Sequence, residues 1–466
     1  MSDARSSTRL SRRNLLDRVA VGGAGLAAAT VLGSRPAEAA SGMEPWNVHY
    51  VDIASGNTQA PIQAALDAAK AGGGGHVVVG PGTWNLSTYL RIGANTRLTL
   101  TPATVFRRTG SARFMLVNGT WGDSSGGSGY SGPGNIVIEG GRWDVAGPQP
   151  SDDGEGWMGI SIWHAADVVV RDLQVLNVSN WHAVEFGAVR NGTVENCRFN
   201  GWTGTSNRVS WGVEAIQLDW ARQGGTVMGA ADGTPCCDIT IRDNHCGAGT
   251  TVNGVAYGGF PTLAGSHGGG FQWPHQRVEI SGNTVHDSAW FAIHPYGTNQ
   301  AVVTNNSINN CFGGIRASYA NDQGTVMGFE DLVVGNNIIR KPSGPEDRGI
   351  DVMGGNATSG TTAARVTITG NVVNGAAAAG IRVRYAPDAV IDGNTVSGST
   401  GRGILAEYSA GTVITGNVVR DCPTGVALTG SPDSLVNGNS LLGTGTALSL
   451  NEADSADCVV SANQGV

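Results

Sequence analysis

From residue 160 onward the chain repeats a short alternation of apolar and polar positions, of which Val366-Thr367-Ile368-Thr369-Gly370-Asn371-Val372-Val373 is a representative copy. A period of two reads as a half-buried strand, and the Gly-Asn pair as a turn. The Asn, or its equivalent, falls at Asn196, Asn244, Asn283, Asn306, Asn337, Asn371, Asn394, Asn417, Asn439 and Asn463. Successive intervals are 48, 39, 23, 31, 34, 23, 23, 22 and 24 residues. A base period of 22–24 with longer excursions is one supersecondary unit per repeat, with loops inserted at fixed places. Between the Asn segments lies a second short strand, at Gly314-Ile315-Arg316, Gly349-Ile350-Asp351, Gly380-Ile381-Arg382-Val383, Gly403-Ile404 and Gly425-Val426. No helical stretch separates these strands. Stacked in register, such units bury one continuous core and pair each backbone with the coils above and below. Asn at the repeated turn suits left-handed geometry, and its amide can bond along the stack. A β-sandwich would need hairpin turn signals that are mostly absent here.

Ahead of the repeats, Thr58 to Ala69 carries a helix-start signature with Pro61 near the first turn, and a glycine run follows it. Then come His76-Val77-Val78-Val79 and Pro81-Gly82-Thr83-Trp84. A short helix followed by V-V-V-x-P-G-T-W, leading into these repeats, resembles the pectate-lyase-like superfamily over residues 46–466. The resemblance implies an all-β chain, a right-handed single-stranded parallel β-helix, and the period arithmetic gives it about ten to twelve coils. The helix and first coils would occupy residues 40–110, with the helix plugging the open end. The solenoid would follow over 111–466, with groove-forming loops around 200–275. A plug is physically required, because an open terminal coil is an unpaired edge.

Residues 1–39 read as an address. Ser11-Arg12-Arg13-Asn14-Leu15-Leu16 precedes an apolar stretch from Val19 to Leu32, and Ala37-Glu38-Ala39 fits a cleavage site. The paired arginines resemble a twin-arginine export signal, and the apolar run is shorter than the ~20 residues of a membrane span. The expectation is therefore a secreted protein with no membrane anchor. The formal charge of −8 and the lack of a basic run argue against a nucleic-acid partner. Seven cysteines allow at most three disulfides, with one bridge expected among Cys197, Cys236, Cys237 and Cys246 and the rest acting as small buried hydrophobes.

If each Ile of the second strand points inward, its neighbours point outward. The outward column then reads Ser161 and Trp163, Glu185, Gln217 and Asp219, Ser266 and His267, His294 and Tyr296, Arg316 and Ser318, Asp351, and Arg382 and Arg384. Coils about 4.8 Å apart would spread Glu185 to Arg316 over roughly 19 Å, the length of several sugar units. The two longest repeat intervals flank this column, where loops could wall a groove. All twelve tryptophans lie between Trp46 and Trp290, with Trp163, Trp181, Trp202, Trp211, Trp220, Trp273 and Trp290 near these coils. A polar outward column is compulsory on any solenoid, but one concentrating Asp, two His, Tyr and Arg over four coils is unusual where only 14% of residues are charged.

A groove with aromatics suggests a polysaccharide substrate, cleaved by elimination or hydrolysis. Elimination beside a uronate carboxylate needs a base for C5–H, an acid for the leaving oxygen and a positive group on the carboxylate. Lys70 and Lys341 are the only lysines and lie outside the column, which argues against a lysine base. The assignment becomes His294 as base, Tyr296 as acid, Arg316 on the carboxylate and Asp219 beside them. Glu185, Gln217, His267, Trp163, Trp220 and Asp351 would hold substrate. Hydrolysis by Glu185 and Asp219 on neighbouring coils is the alternative. Gly265-Ser266-His267-Gly268 and Gly314-Ile315-Arg316 resemble parts of polygalacturonase-like hydrolases, whose N-T-D and D-D signatures on successive coils are missing here. A uronate epimerase or a non-catalytic glycan-binding β-helix completes the set. No metal site is read from the spacing; Ca²⁺ could bind Asp152, Asp153 and Glu155, a loop that reads more simply as a solvated turn. Oligomeric state is left open.

Overall fold

The computed structural model describes residues 47–145, 156–204, 213–222, 228–268, 273–322, 325–342, 344, 347–451 and 454–465. The export signal at 1–39, Trp46, Trp211 and the Asp152-Asp153-Glu155 loop lie outside the described residues. The chain is a right-handed parallel β-helix. Thirteen strands, from Leu90–Arg91 to Thr446–Leu450, stack into one sheet. That is one coil beyond the expected range, because Leu90–Arg91 is a strand too short to read in the sequence. A second sheet of 26 strands bends around the remaining sides. Every pairing in these two sheets is parallel. Among the described residues the antiparallel strand pairs are two inserted hairpins, Thr251–Val252 with Val255–Ala256 and Ala320–Asp322 with Thr325–Met327, beside isolated antiparallel bridges at Trp157–Ser179 and Trp202–Gly258. The second hairpin directly follows the Gly313–Ser318 strand, outside the 200–275 region that the long intervals single out.

Helix α1 (Gln59–Ala71) turns Ile62, Leu66 and Ala69 inward, a helical spacing that buries all three. It packs on Val48–Val51, Gly75–Val79 and Leu90–Arg91, where the first coil would otherwise end in an open core. Along the thirteen-stranded sheet, Ile160, Val184, Ile216, Ala264, Ile293, Ile315, Ile350, Ile381, Ile404, Val426 and Leu448 lie in register as one inward column. All but the last are buried. The glycine before several of these residues is a packing requirement: a Cβ at Gly380 would collide with Val396 of the facing sheet, and one at Gly403 with Val419.

The asparagine ladder is continuous from Asn244 to Asn463. Each residue's backbone N–H and Nδ2 donate to the Oδ1 of the next coil's Asn, as for Asn283 to Asn306 at 3.0 and 2.9 Å. Asn283, Asn306, Asn337, Asn371, Asn394 and Asn417 therefore share a single turn, as the period demands. Asn196 does not belong to this ladder. Cys197 occupies the position, its N–H donating to Asn244 Oδ1 at 3.0 Å, while Asn196 points outward to Asp172. The left-handed residue is likewise the one before the ladder: Asp243, Gly282, Asn305, Asn336, Gly370, Gly393 and Gly416 have φ between 55° and 67°. The turn asks for positive φ just ahead of the amide that must point inward, so the two roles fall on adjacent residues. All seven cysteines are free, which corrects the expected bridge. Cys197 and Cys246 serve the core of successive coils, and the Cys236 thiol lies against the Phe186 and Asp219 carbonyls, so no pair converges.

Candidate functional site

The outward column follows from the same register. Ser161, Glu185, Gln217, Gly265 and His294 align across five strands. Ile293 opposite Ile315 carries the column on to Arg316, then Asp351 and Arg382. A parallel column two residues further along holds Trp163, Gly187 and Asp219, and then Tyr296 beside Ser318. Gly265, not Ser266, occupies the first column; the Ser266 hydroxyl is buried 3.3 Å from His275 Nε2.

The column is enclosed rather than laid on an open face: Glu185, Gln217, Asp219 and His294 are all buried. Glu185 accepts hydrogen bonds from the Ser161 hydroxyl and from Trp163 Nε1. Burial, reinforced by the Asp219 charge, pushes its carboxyl up to about 8. Asp219 accepts from the Trp220 N–H at 2.8 Å and lies 3.8 Å from Arg222 Nε, and burial pushes it up to about 6. Glu214, with a fully buried side chain, behaves oppositely. Burial works to raise its pKa, but His267 at 3.0 Å and His182 at 3.6 Å from the same carboxylate oxygen hold it below the ordinary range. Burial would lower His267, and Glu214 outweighs it and raises the imidazole. His182, Glu214 and His267 each offer one donor atom, all within 4.8 Å of one another, a set able to hold a metal ion. The rings of His182 and His267 stack at 5.6 Å.

Of the sequence-derived residues, the structure brings together Glu185, Gln217, Asp219, His267, His294, Tyr296 and Arg316. His294 and Tyr296 have ring centres 5.5 Å apart, and His294 Nε2 shares a 2.8 Å hydrogen bond with Ser318. Burial, then the neighbouring Arg316, drives the His294 imidazole well below its ordinary pKa. The Tyr296 hydroxyl accepts from the Asn321 N–H at 2.8 Å. His267 and Arg316, with side chains 26% and 25% exposed, and half-buried Tyr296 form the accessible rim.

Three expected substrate contacts are corrected. Trp163 and Trp220 are buried and have no ring face to offer a sugar. Trp163 packs on Gly187, where any Cβ would collide with the indole, and Trp220 stacks on His275 at 3.7 Å. Asp351 is likewise buried, held by Arg382 at 2.7 and 3.2 Å, with Arg316 and Arg348 at 3.8 and 4.0 Å. An inward parity cannot be told from an outward one that loops later cover, and the sequence reading took polarity for exposure.

His182 and Glu214 were missed as site residues. Each lies two positions before a core residue, Val184 and Ile216, so strict alternation assigns both to the inside. They sit where the strand begins, and the corner releases them from alternation. The signal available was chemical: a His and a Glu at equivalent positions of successive coils.

The comparisons place the fold among right-handed β-helices. Residues 348–465 match the sequence family described as right handed beta helix region. No curated protein matches the chain in sequence. Among solved structures, the surface adhesin PfbA of Streptococcus pneumoniae is similar at 16% identity over 85% of this chain and 91% of its own, with a TM-score of 0.64. The A-module of the Azotobacter vinelandii mannuronan C-5 epimerase AlgE4 is similar at 14% identity over 88% of this chain and 100% of its own, TM-score 0.53. The tailspike protein of E. coli bacteriophage HK620, in complex with a pentasaccharide, is similar at 15% identity over 87% of this chain and 74% of its own, TM-score 0.54.

Proposed function

We propose that the chain is an extracellular carbohydrate-active enzyme that hydrolyses a glycosidic bond in an anionic glycan, with residues 1–39 directing its export. The observation that carries this reading is the split between two buried carboxyl groups on neighbouring coils. Glu185, pushed up to about 8, holds a proton at neutral pH, while Asp219, near 6, is ionised there. Environments that drive two carboxyls apart assign an acid and a base. Glu185 donates its proton to the glycosidic oxygen as the bond to the sugar carbon breaks. Asp219 takes the proton of the water whose oxygen bonds to that carbon, or attacks the carbon itself if the two groups stand close enough for retention. Three guanidinium groups, Arg316, Arg348 and Arg382, meet two carboxylates, Asp351 and Glu407, a positive excess that supports an anionic substrate, and the partly exposed Arg316 is where a carboxylate would approach. The oligosaccharide-bound tailspike has the same fold, which is consistent with a glycan ligand.

The second reading is β-elimination, favoured by that same arginine cluster beside His294 and Tyr296. It ranks lower because an imidazole driven well below its ordinary pKa is a weak base. Incubation with a panel of acidic polysaccharides separates the two: new reducing ends without unsaturated-uronate absorbance report hydrolysis, and the absorbance reports elimination. On the hydrolytic reading kcat/KM follows a bell in pH with limbs near 6 and 8. Glu185→Gln and Asp219→Asn should each lower kcat on the order of 10²–10⁴-fold. Wild-type rates in both variants would dismiss the assignment.

A further inference from the structure

We propose that His182, Glu214 and His267 bind a divalent d-block cation of the zinc type. The three residues come from three consecutive coils of the thirteen-stranded sheet and converge although nothing in their sequence spacing resembles a metal motif. His267 Nδ1 and His182 Nδ1 lie 3.0 and 3.6 Å from one Glu214 oxygen. A tetrahedral ion with bonds of about 2.1 Å separates its donor atoms by about 3.4 Å, the range these distances bracket. An independent observation points to the same ligand: the other carboxylate oxygen, Glu214 Oε1, is buried without a hydrogen-bond partner on a side chain of 0% exposure. A desolvated carboxylate oxygen with no donor is costly, and a cation is the partner it lacks.

The donor set selects the metal class. Two imidazole nitrogens and one carboxylate suit zinc and its neighbours, whereas calcium takes six to eight oxygens. His182 Nδ1 also meets the Glu214 main chain, 3.2 Å from its N–H and 2.9 Å from its carbonyl, contacts that an ion bound at Nδ1 would replace. Three protein ligands leave a fourth position for water or substrate, the arrangement of catalytic rather than structural zinc sites. The site adjoins Asp219, whose charge His267 feels, and its His267 edge lies on the accessible rim.

The test is zinc binding by the purified chain after removal of metals with a chelator, read by titration calorimetry and by the visible spectrum of the cobalt(II) form. One equivalent of zinc should bind per chain, and cobalt(II) should show the intense visible bands of a four-coordinate ion. His182→Ala and His267→Ala should each weaken zinc at least a hundredfold. His286→Ala should leave binding unchanged, because His286 pairs with His245 in the other sheet, with rings 5.5 Å apart. Failure of the wild-type chain to bind zinc overturns the proposal, as does equal binding by both ligand variants or loss of binding in His286→Ala. Should a ligand variant fail to fold, the cobalt spectrum of the wild-type chain decides alone: six-coordinate pale bands count against the site. Neither readout involves a glycan, so a chain that hydrolyses glycans without binding zinc overturns only this inference.

Discussion

Trp220 and Trp273 lie side by side, with Trp220 Nε1 donating to the Trp273 carbonyl at 2.8 Å, yet their rings have opposite surroundings. Trp220 has no exposed surface, whereas Trp273 is 63% exposed. Removing a fully buried indole leaves a cavity and costs roughly 3–5 kcal/mol. Trp220→Ala should therefore lower the denaturant midpoint sharply and take activity with it. Trp273→Ala should leave that midpoint within error and raise KM several-fold at unchanged kcat, if this ring is a platform for a sugar. Equal stability losses in the two variants would show that both rings are structural. At this scale the sequence made Glu185, Gln217, Asp219, His294 and Arg316 legible, because a period of two fixes which residues share a face. It left unreadable which part of that face is covered, since the covering comes from loops with no period. His182 and Glu214 escaped for a related reason: corner residues obey no alternation.

The repeated coil is where the sequence spoke most plainly, and the asparagine ladder is its physical basis. Asn337 is fully buried, donating from Nδ2 to Val303 O at 2.9 Å and to Asn371 Oδ1 at 2.9 Å. Its own Oδ1 accepts from the Asn306 N–H and Nδ2 at 3.0 and 2.9 Å. Asn337→Ala strands these partners in the interior, where each unpaired polar group costs about 1–3 kcal/mol. Chemical denaturation should register a loss of several kcal/mol. Among the described residues Asn463, half-buried at the last rung, donates to Val436 O and accepts from Asn439 with no further rung beyond it, so Asn463→Ala should cost less than half as much. Similar losses at both rungs would mean that the ladder adds no more than local turn geometry. Period arithmetic located nine of the ten rungs. It failed at Asn196 because the preceding left-handed position also favours Asn, and the small, buried Cys197 thiol fills the rung without an amide. The cysteines misled for the same reason: a solenoid spends small apolar residues on successive coils, and the parity that buries each one keeps the thiols apart.

Stability of the whole solenoid should carry the mark of its buried carboxyls. Glu185 ionises near 4.3 in an unfolded chain and at about 8 in the folded one. Between those values the native state holds a proton that the unfolded state has released, so this group's contribution to stability falls as pH rises through the window. That contribution is fully present below about pH 4 and lost above about pH 8. Asp219, raised to about 6, adds the same sign between about pH 4 and 6. His294 works the other way: its depressed folded pKa means that stability is lost as pH drops through 6.5, where the unfolded imidazole gains a proton. The total curve mixes these slopes, but comparison with Glu185→Gln isolates one of them, because the amide has no proton to lose. The variant should gain on the wild type as pH rises from 4 to 8, by on the order of 5 kcal/mol, with the difference flat on either side. Denaturant titrations of both proteins across that range measure it. Parallel curves would mean that native Glu185 is already ionised at neutral pH, leaving the proposed hydrolysis without the proton it needs for the leaving sugar.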